Sequence, residues 1–290
     1  MAALMLTRDE VIERSQTLPS FPRFVTEILA ALDDPEASLA VLAGCIMRDP
    51  VITARVLSAA NTASMRSRRS SEVNDIYTAI SLIGMSQVRK ITLVSCLGTF
   101  VGGVAVPSLP ATFWQHCVSV GVCCEELALH TPVPVSNDAA LIAGLLHDVG
   151  QIWLYSFNAS AYSTCWQQAL TTAHGIDEVE REQFGVDHST IGAWLAEHWE
   201  LPSGIVTAIR GHHIPDAVLD ASLVSVVHVA EVLSNALDLG GRAENRVTTL
   251  SSAACSQLGL VWDESIHPLF GSIEARSRYA DTFFATAARP

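Results

Sequence analysis

Apolar residues recur along most of the chain at the spacing of amphipathic helices, and alternating strand-like patterns are nearly absent. In the first hundred residues, polar residues that cap helix N-termini precede apolar runs, and one is followed by proline at the first helical position. These start signals are Ser20, Ser38, Asp49 with Pro50, Asp75 and Ser86. Gly84 ends the helix that Asp75 begins. The pattern predicts about five or six short helices between residues 8 and 103.

The second part of the chain repeats this helical pattern. Asn137 or Asp138 is expected to cap a helix that ends at His147, and Gly185 and Asp187 separate two further helices. The helices are predicted at 111–130, 138–147, 159–173, 176–184, 188–199, 203–213, 219–239 and from about 246 onward. The predicted fold class is therefore all-α.

Glycines and prolines between residues 102 and 110 predict the boundary between two helical lobes. The first lobe would cover residues 1–110. The second would consist of 111–215, followed by C-terminal helices over 216–290 that complete it. We expect the two lobes to pack without a flexible linker.

Composition describes a globular chain with an acidic second half. Of its 290 residues, 49% are apolar and 16% charged, which suits a large buried core. Residues 1–100 carry equal numbers of acidic and basic groups, so the net charge of −13 arises entirely from 101–290. Nucleic acids and anionic membranes attract positive surfaces, so neither is an expected partner.

Cysteine usage and the N-terminus both predict a cytoplasmic protein. The seven cysteines contain no CxxC pair and lie in apolar segments, as buried thiols do in a reducing compartment. No secretory signal is expected, because charged residues follow the first apolar ones at once. The uncharged stretch 91–114 is interrupted by glycines and prolines, so it predicts a buried helix and a loop instead of a membrane span.

The sequence GLLHDVG, residues 144–150, carries the strongest chemical signal. His147 and Asp148 combine an imidazole with a short carboxylate, a pair that suits a divalent metal when histidines from other helices join it. The alternative is an ordinary helix end, in which Gly150 forms the cap and His147 faces the last carbonyls.

Five motifs in order resemble the HDOD family, the HD-related output domains. They are LPSFPRFVTEIL, DPVITARVLSAANTAS, DIYTAISLIGMSQVRKITL, GLLHDVGQIWL, and EREQFGVDHSTIGAWLAEHWELP followed by IRGHH. The resemblance covers roughly residues 15–215. It implies a cytoplasmic bacterial signalling module of two helical lobes, the second similar to metal-dependent phosphohydrolases of the HD superfamily. Most members of the family are held to be non-catalytic.

The resemblance also implies a set of metal ligands. Matched to the superfamily pattern, these are His116, His147, Asp148, His188, His212, His213 and, in place of a late aspartate, Glu231. Mixed nitrogen and oxygen ligands suit iron, manganese, nickel or zinc. One ion or two could be held.

Two departures from the HD-GYP phosphodiesterases weaken the expectation of catalysis. The lysine that follows the His-Asp pair in those enzymes is Gln151 here, and the DGxGYP segment is absent after His213. A missing cation removes stabilisation of the charge that develops in phosphoryl transfer.

Two functional classes therefore stay open. The favoured one is a non-catalytic signalling module that acts through protein partners; the other is a metal-dependent phosphohydrolase acting on a nucleotide or cyclic dinucleotide. Arg66, Arg68 and Arg69 form a candidate anion-binding cluster, although basic residues in a polar loop are more often simply solvated. The sequence identifies neither the input signal nor the partner.

Overall fold

The structure is a computed structural model of the 290-residue chain. It describes residues 4–15, 39–48, 50–66, 73–85, 87–88, 91–92, 95, 109–110, 112–172, 174–218, 221–241 and 247–287. Within these ranges the regular structure is helical and contains no strand, as predicted. The predicted helix at 21–34 and the side chains of the arginine cluster lie outside the described residues.

Thirteen α-helices are described, with two short 3₁₀ turns at Pro215–Ala217 and Glu264–Ile266. The helices are α1 (Arg8–Ser15), α2 (Leu39–Ile46), α3 (Pro50–Arg66), α4 (Ile76–Ile83), α5 (Phe113–His130), α6 (Asn137–Leu146), α7 (Val149–Thr171), α8 (Ile176–Phe184), α9 (His188–His198), α10 (Ser203–Gly211), α11 (Ser222–Ala236), α12 (Ser252–Gln257) and α13 (His267–Ala287).

The chain divides into two compact units. The smaller is residues 19–104, and the larger combines residues 1–18 with 105–290. This division differs from the predicted lobe of residues 1–110, because α1 belongs to the larger unit. The indole Nε1–H of Trp153 donates to the Val11 carbonyl at 3.1 Å, and the backbone nitrogens of Leu4 and Leu6 donate to residues at the end of α8.

In the smaller unit, α2, α3 and α4 pack on a core that includes Leu42, Ile52 and Ile80. Asp75 caps α4 as predicted, since its carboxylate accepts from the backbone N–H of Thr78 at 3.0 Å. Gly84 ends the helix at a φ of 80°, a left-handed conformation that glycine adopts readily.

In the larger unit, α5 packs against α6, α11 and α13. The contact between α5 and α6 is close because two glycines face each other there. A Cβ on Gly144 would lie 2.8 Å from Cα of Gly121 and 2.6 Å from Sγ of Cys124. Small residues therefore bring together the helices that carry His116 and lead to His147.

Two predictions of local structure in this unit are wrong. The hydroxyl of Ser136, instead of Asn137 or Asp138, caps α6 by accepting from the backbone N–H of Ala139 at 3.3 Å. The second difference concerns α7, which begins directly after the His-Asp pair and continues through an irregular residue, Asn158, to Thr171, whereas only 159–173 was predicted to be helical. No helix in the described ranges has the length and apolar character needed to cross a membrane.

Candidate metal centre

The His-Asp pair occupies the junction between two helices. His147 ends α6, and Asp148 immediately precedes α7. Gly150 is not a helix cap but lies in the first turn of α7, where a Cβ would come within 2.0 Å of the His188 carbonyl oxygen. The absence of a side chain at Gly150 therefore lets α7 approach the start of α9, where His188 lies.

Five segments of the larger unit bring the predicted ligands together. His116 lies on α5, His188 begins α9, His212 and His213 follow α10, and Glu231 lies on α11. Apart from the half-buried His213, all of these side chains are buried, as are those of His147 and Asp148. The set could be assembled only by tertiary packing, because its members are distributed over more than a hundred residues.

Asp148 lies at the centre of this set. Its Oδ1 is 3.2 Å from Nε2 of His188, and its Oδ2 is 3.4 Å from Nε2 of His147 and 3.6 Å from Nε2 of His116. The two carboxylate oxygens thus face different histidines.

The remaining ligands form two groups on the two sides of Asp148. In one group, donor atoms of His116, His147 and Glu231 all lie within 4.8 Å of one another; in the other, those of His188, His212 and His213 do so. Two donor atoms on opposite sides of one ion lie roughly 4 to 4.6 Å apart, twice the usual bond length. The structure therefore offers two groups that could each hold a metal ion, with a carboxylate between them.

Two histidines are oriented in the same way by the helix ends that precede them. Nδ1 of His147 is 2.7 Å from the Gly144 carbonyl oxygen, and Nδ1 of His212 is 2.7 Å from that of Ile209. A carbonyl can only accept, so both rings carry the proton on Nδ1 and, when neutral, present the lone pair of Nε2 to the cluster. This is the arrangement in which an imidazole binds a metal.

The donor set fits a metal ion. Nε2 of His212 is buried and makes no hydrogen bond within the described part of the chain. A buried polar atom without a hydrogen bond costs stability unless another partner is provided. Burial and the neighbouring imidazoles hold the pKa of His212 well below its usual range, so the ring is neutral and available as a ligand at physiological pH.

His188 is held by a carboxylate that sequence reasoning missed. Oε2 of Glu180 lies 2.7 Å from Nδ1 of His188, and Oε1 accepts from the hydroxyl of Tyr162 at 2.7 Å. Burial lowers the pKa of His188, but the carboxylates of Glu180 and Asp148 outweigh burial and raise it well above its usual range. The sequence did contain one sign that Glu180 is buried. It lies four residues before the buried Phe184 and hence on the apolar face of α8.

His188 and His213 share a proton at the place where a metal ion would bind. Nε2 of His213 lies 2.9 Å from Nε2 of His188, so one of these nitrogens must donate. Burial and the charge on His188 lower the pKa of His213 to about 4. The proton therefore resides on His188, between Asp148 and His213, where a metal ion would displace it.

His228 lies on α11, three residues before Glu231, and has a structural role. Its Nδ1–H donates to the His212 carbonyl at 2.8 Å, and its Nε2 accepts from the backbone N–H of Ser251 at 3.1 Å. Both ring nitrogens are thus engaged by the backbone. His228 fixes the segment that carries His212 and His213.

A cavity of about 470 Å³ leads from the cluster to the surface. Asp148, Gln151, His213 and Glu231 lie along it. Arg181 is the one lysine or arginine that lines it among the described residues, and its guanidinium is ion-paired with both Asp177 and Asp187.

Comparison with known proteins gives a consistent family assignment. Residues 18–215 match the HDOD domain family. An uncharacterized protein of Treponema pallidum (strain Nichols) is 25% identical over 242 residues, covering 79% of this chain. That match covers 44% of the relative, so the chain spans less than half the length of the curated protein that it matches.

Solved structures show the same fold. An HDOD domain protein of unknown function from Geobacter sulfurreducens aligns with a TM-score of 0.65 and 23% identity over 97% of this chain and 95% of that one. A candidate signal-transduction protein from Marinobacter aquaeolei VT8 aligns with a TM-score of 0.74 and 19% identity over 100% of this chain and 63% of that one. A candidate phosphohydrolase from Shewanella amazonensis SB2B aligns with a TM-score of 0.60 and 20% identity over 92% of this chain and 97% of that one.

Proposed function

The chain belongs to the HDOD family, and from that membership we propose that it is a signal-transduction module whose larger unit binds divalent metal without turning over a substrate. One observation supports this proposal above others: Asp148 lies between two groups of ligands and directs one carboxylate oxygen toward each. Ions bound there would connect α5, α9, α11 and the segments around the His-Asp pair. Metal occupancy would then control the shape and stability of the larger unit.

The surroundings of the cluster support binding more than catalysis. Gln151 is neutral and buried beside the centre, and the guanidinium of Arg181 is shared between Asp177 and Asp187. Phosphoryl transfer needs positive charge to stabilise the leaving oxygen. Such charge is scarce along the described walls of the cavity, so a protein partner that recognises the metal-bound shape is the proposed target.

The test compares metal binding with turnover. Purified protein loaded with manganese, iron or zinc should retain metal and unfold at a higher temperature than the metal-free protein. It should not hydrolyse bis-p-nitrophenyl phosphate, cyclic dinucleotides or nucleoside phosphates. His147→Ala with Asp148→Ala should abolish the stabilisation, whereas His267→Ala with Glu264→Ala, an exposed pair, should not.

A metal-dependent phosphohydrolase is the second candidate, and the cavity favours it. Its volume of about 470 Å³ is sufficient for a small ligand, and it reaches Asp148, His213 and Glu231. A bound ion would lower the pKa of a water ligand and polarise a phosphoryl oxygen. Metal-dependent hydrolysis that disappears in the His147→Ala, Asp148→Ala variant would replace the first proposal with this one.

A further inference from the structure

The cavity that leads from the cluster to the surface has an acidic interior and an apolar opening. Leu170, Ile214 and Val247 line it and yet are 47%, 52% and 58% exposed, so they lie where the cavity meets solvent. They come from the end of α7, the segment after α10 and the segment before α12. Large aliphatic residues that gather from three separate segments around an opening indicate a binding surface.

The charges along the cavity limit the ligand. Asp148, Asp177, Glu178 and Glu231 contribute four carboxylates, and Arg181 contributes one guanidinium. Arg181 is also ion-paired with Asp187, so two divalent ions in the proposed centre would about balance the charge of all these groups. A singly charged ligand would disturb this balance little, whereas a polyphosphate would meet repulsion from Asp177 and Glu178.

From this cavity we infer a ligand class: a singly charged, metal-chelating anion with an aliphatic or aromatic body. The inference rests on the proposed metal centre. The chelating end would reach the ions beside Asp148, and the body would lie against Leu170, Ile214 and Val247. The volume of about 470 Å³ matches a molecule of this kind.

Two hydroxamates that differ only in their tails test this inference. The cobalt(II)-loaded 290-residue chain is titrated with acetohydroxamate and octanohydroxamate, and binding is followed by the visible absorption of the bound cobalt. Because each buried methylene contributes favourably, octanohydroxamate should bind at least ~10-fold more tightly. Leu170→Ser with Val247→Ser should reduce this advantage to ~3-fold or less, and Val261→Ser, which is 62% exposed and outside the cavity, should leave it unchanged.

Each outcome decides a separate point. Equal affinities in the wild-type protein would overturn the ligand class while leaving the metal centre in place. An advantage that survives the double substitution would also overturn it, because the tail would then bind elsewhere. A protein that shows no bound cobalt before any hydroxamate is added would refute the metal centre and, with it, the ligand class.

Discussion

Glu180 holds His188 through a single carboxylate oxygen: Oε2 lies 2.7 Å from the backbone nitrogen of His188 and 2.7 Å from its Nδ1. Both groups are buried. This oxygen therefore fixes the start of α9 and the orientation of one proposed ligand together, so the position of His188 depends on a charge in another helix.

Glu180→Gln should weaken both contacts of Oε2, the one with the backbone nitrogen of His188 and the one with its Nδ1. We expect a loss of about 1.5–3 kcal/mol in the free energy of unfolding, because charge-assisted hydrogen bonds become neutral ones. Zinc affinity should fall roughly 10- to 100-fold, as for other partners of metal-binding histidines. Urea denaturation and a competitive zinc titration measure the two effects, and Glu182→Gln, an exposed position on the same helix, should change neither.

Gly150→Ala should be strongly destabilising. The added Cβ would meet the His188 carbonyl oxygen at 2.0 Å, a contact that neither backbone can relieve without moving α7 away from α9. We expect a loss of about 3 kcal/mol or more, at the upper end for overpacking. Gly204→Ala is the matched control, since its nearest neighbour is 4.0 Å away; it should be neutral or stabilising by up to ~1 kcal/mol in urea denaturation.

Metal should stabilise the protein more at high pH than at low pH. Because the folded-state pKa of His188 is raised above 6.5, the stability that its protonated form provides is complete below that value and is lost as pH rises through the folded-state pKa. A metal ion requires the neutral ring and competes with the proton. The increase in Tm on adding zinc should therefore be larger at about pH 8.5 than at about pH 6; an increase independent of pH would contradict the assignment of His188 as a ligand.

Arg276 should be essential for the docking of α13. Its guanidinium is ion-paired with the buried carboxylates of Glu125 and Glu126 on α5, and Glu126 also accepts from the hydroxyl of Ser272 at 2.6 Å. Arg276→Met leaves two buried charges without their cation, which should cost about 3 kcal/mol in chemical denaturation.

Two further variants test this interpretation of Arg276. Adding Glu125→Gln to Arg276→Met should restore part of the stability, because one buried charge is removed. Arg8→Met breaks an exposed pair with Glu197 and should cost less than ~1 kcal/mol. Equal effects of Arg276→Met and Arg8→Met would show that the buried carboxylates do not depend on the arginine.

Local sequence signals predicted much of the fold, because they depend only on neighbouring residues. The caps at Asp75 and Asp187 form as expected, each accepting from a backbone N–H three residues ahead. The helix break after His147 was located correctly, but the role of Gly150 was not. That role depends on the approach of α9, which no local pattern records.

His147 and Asp148 were predicted from their own motif, and the other candidate ligands through family resemblance; the structure places the six candidates other than Asp148 in two groups beside it. Glu180 was missed because its partner, His188, lies on another helix and its own helix reads as an acidic surface element. Buried charge pairs are tertiary features: the sequence supplies each member, but only packing shows which members meet.

The return of the chain from the smaller unit to the larger one has an entropic consequence. Residues 1–18, which contain α1, belong to the larger unit. Residues 19–104 then form the smaller unit, and residues 105–290 complete the larger one. A folded unit holds the two ends of its chain at a fixed separation. If residues 19–104 unfold, they would join α1 to the rest of the larger unit as a long flexible loop, and the entropy lost in closing such a loop increases with its length. We therefore expect unfolding of the smaller unit to weaken the docking of α1, seen in the bond from Trp153 to Val11, through chain connectivity alone.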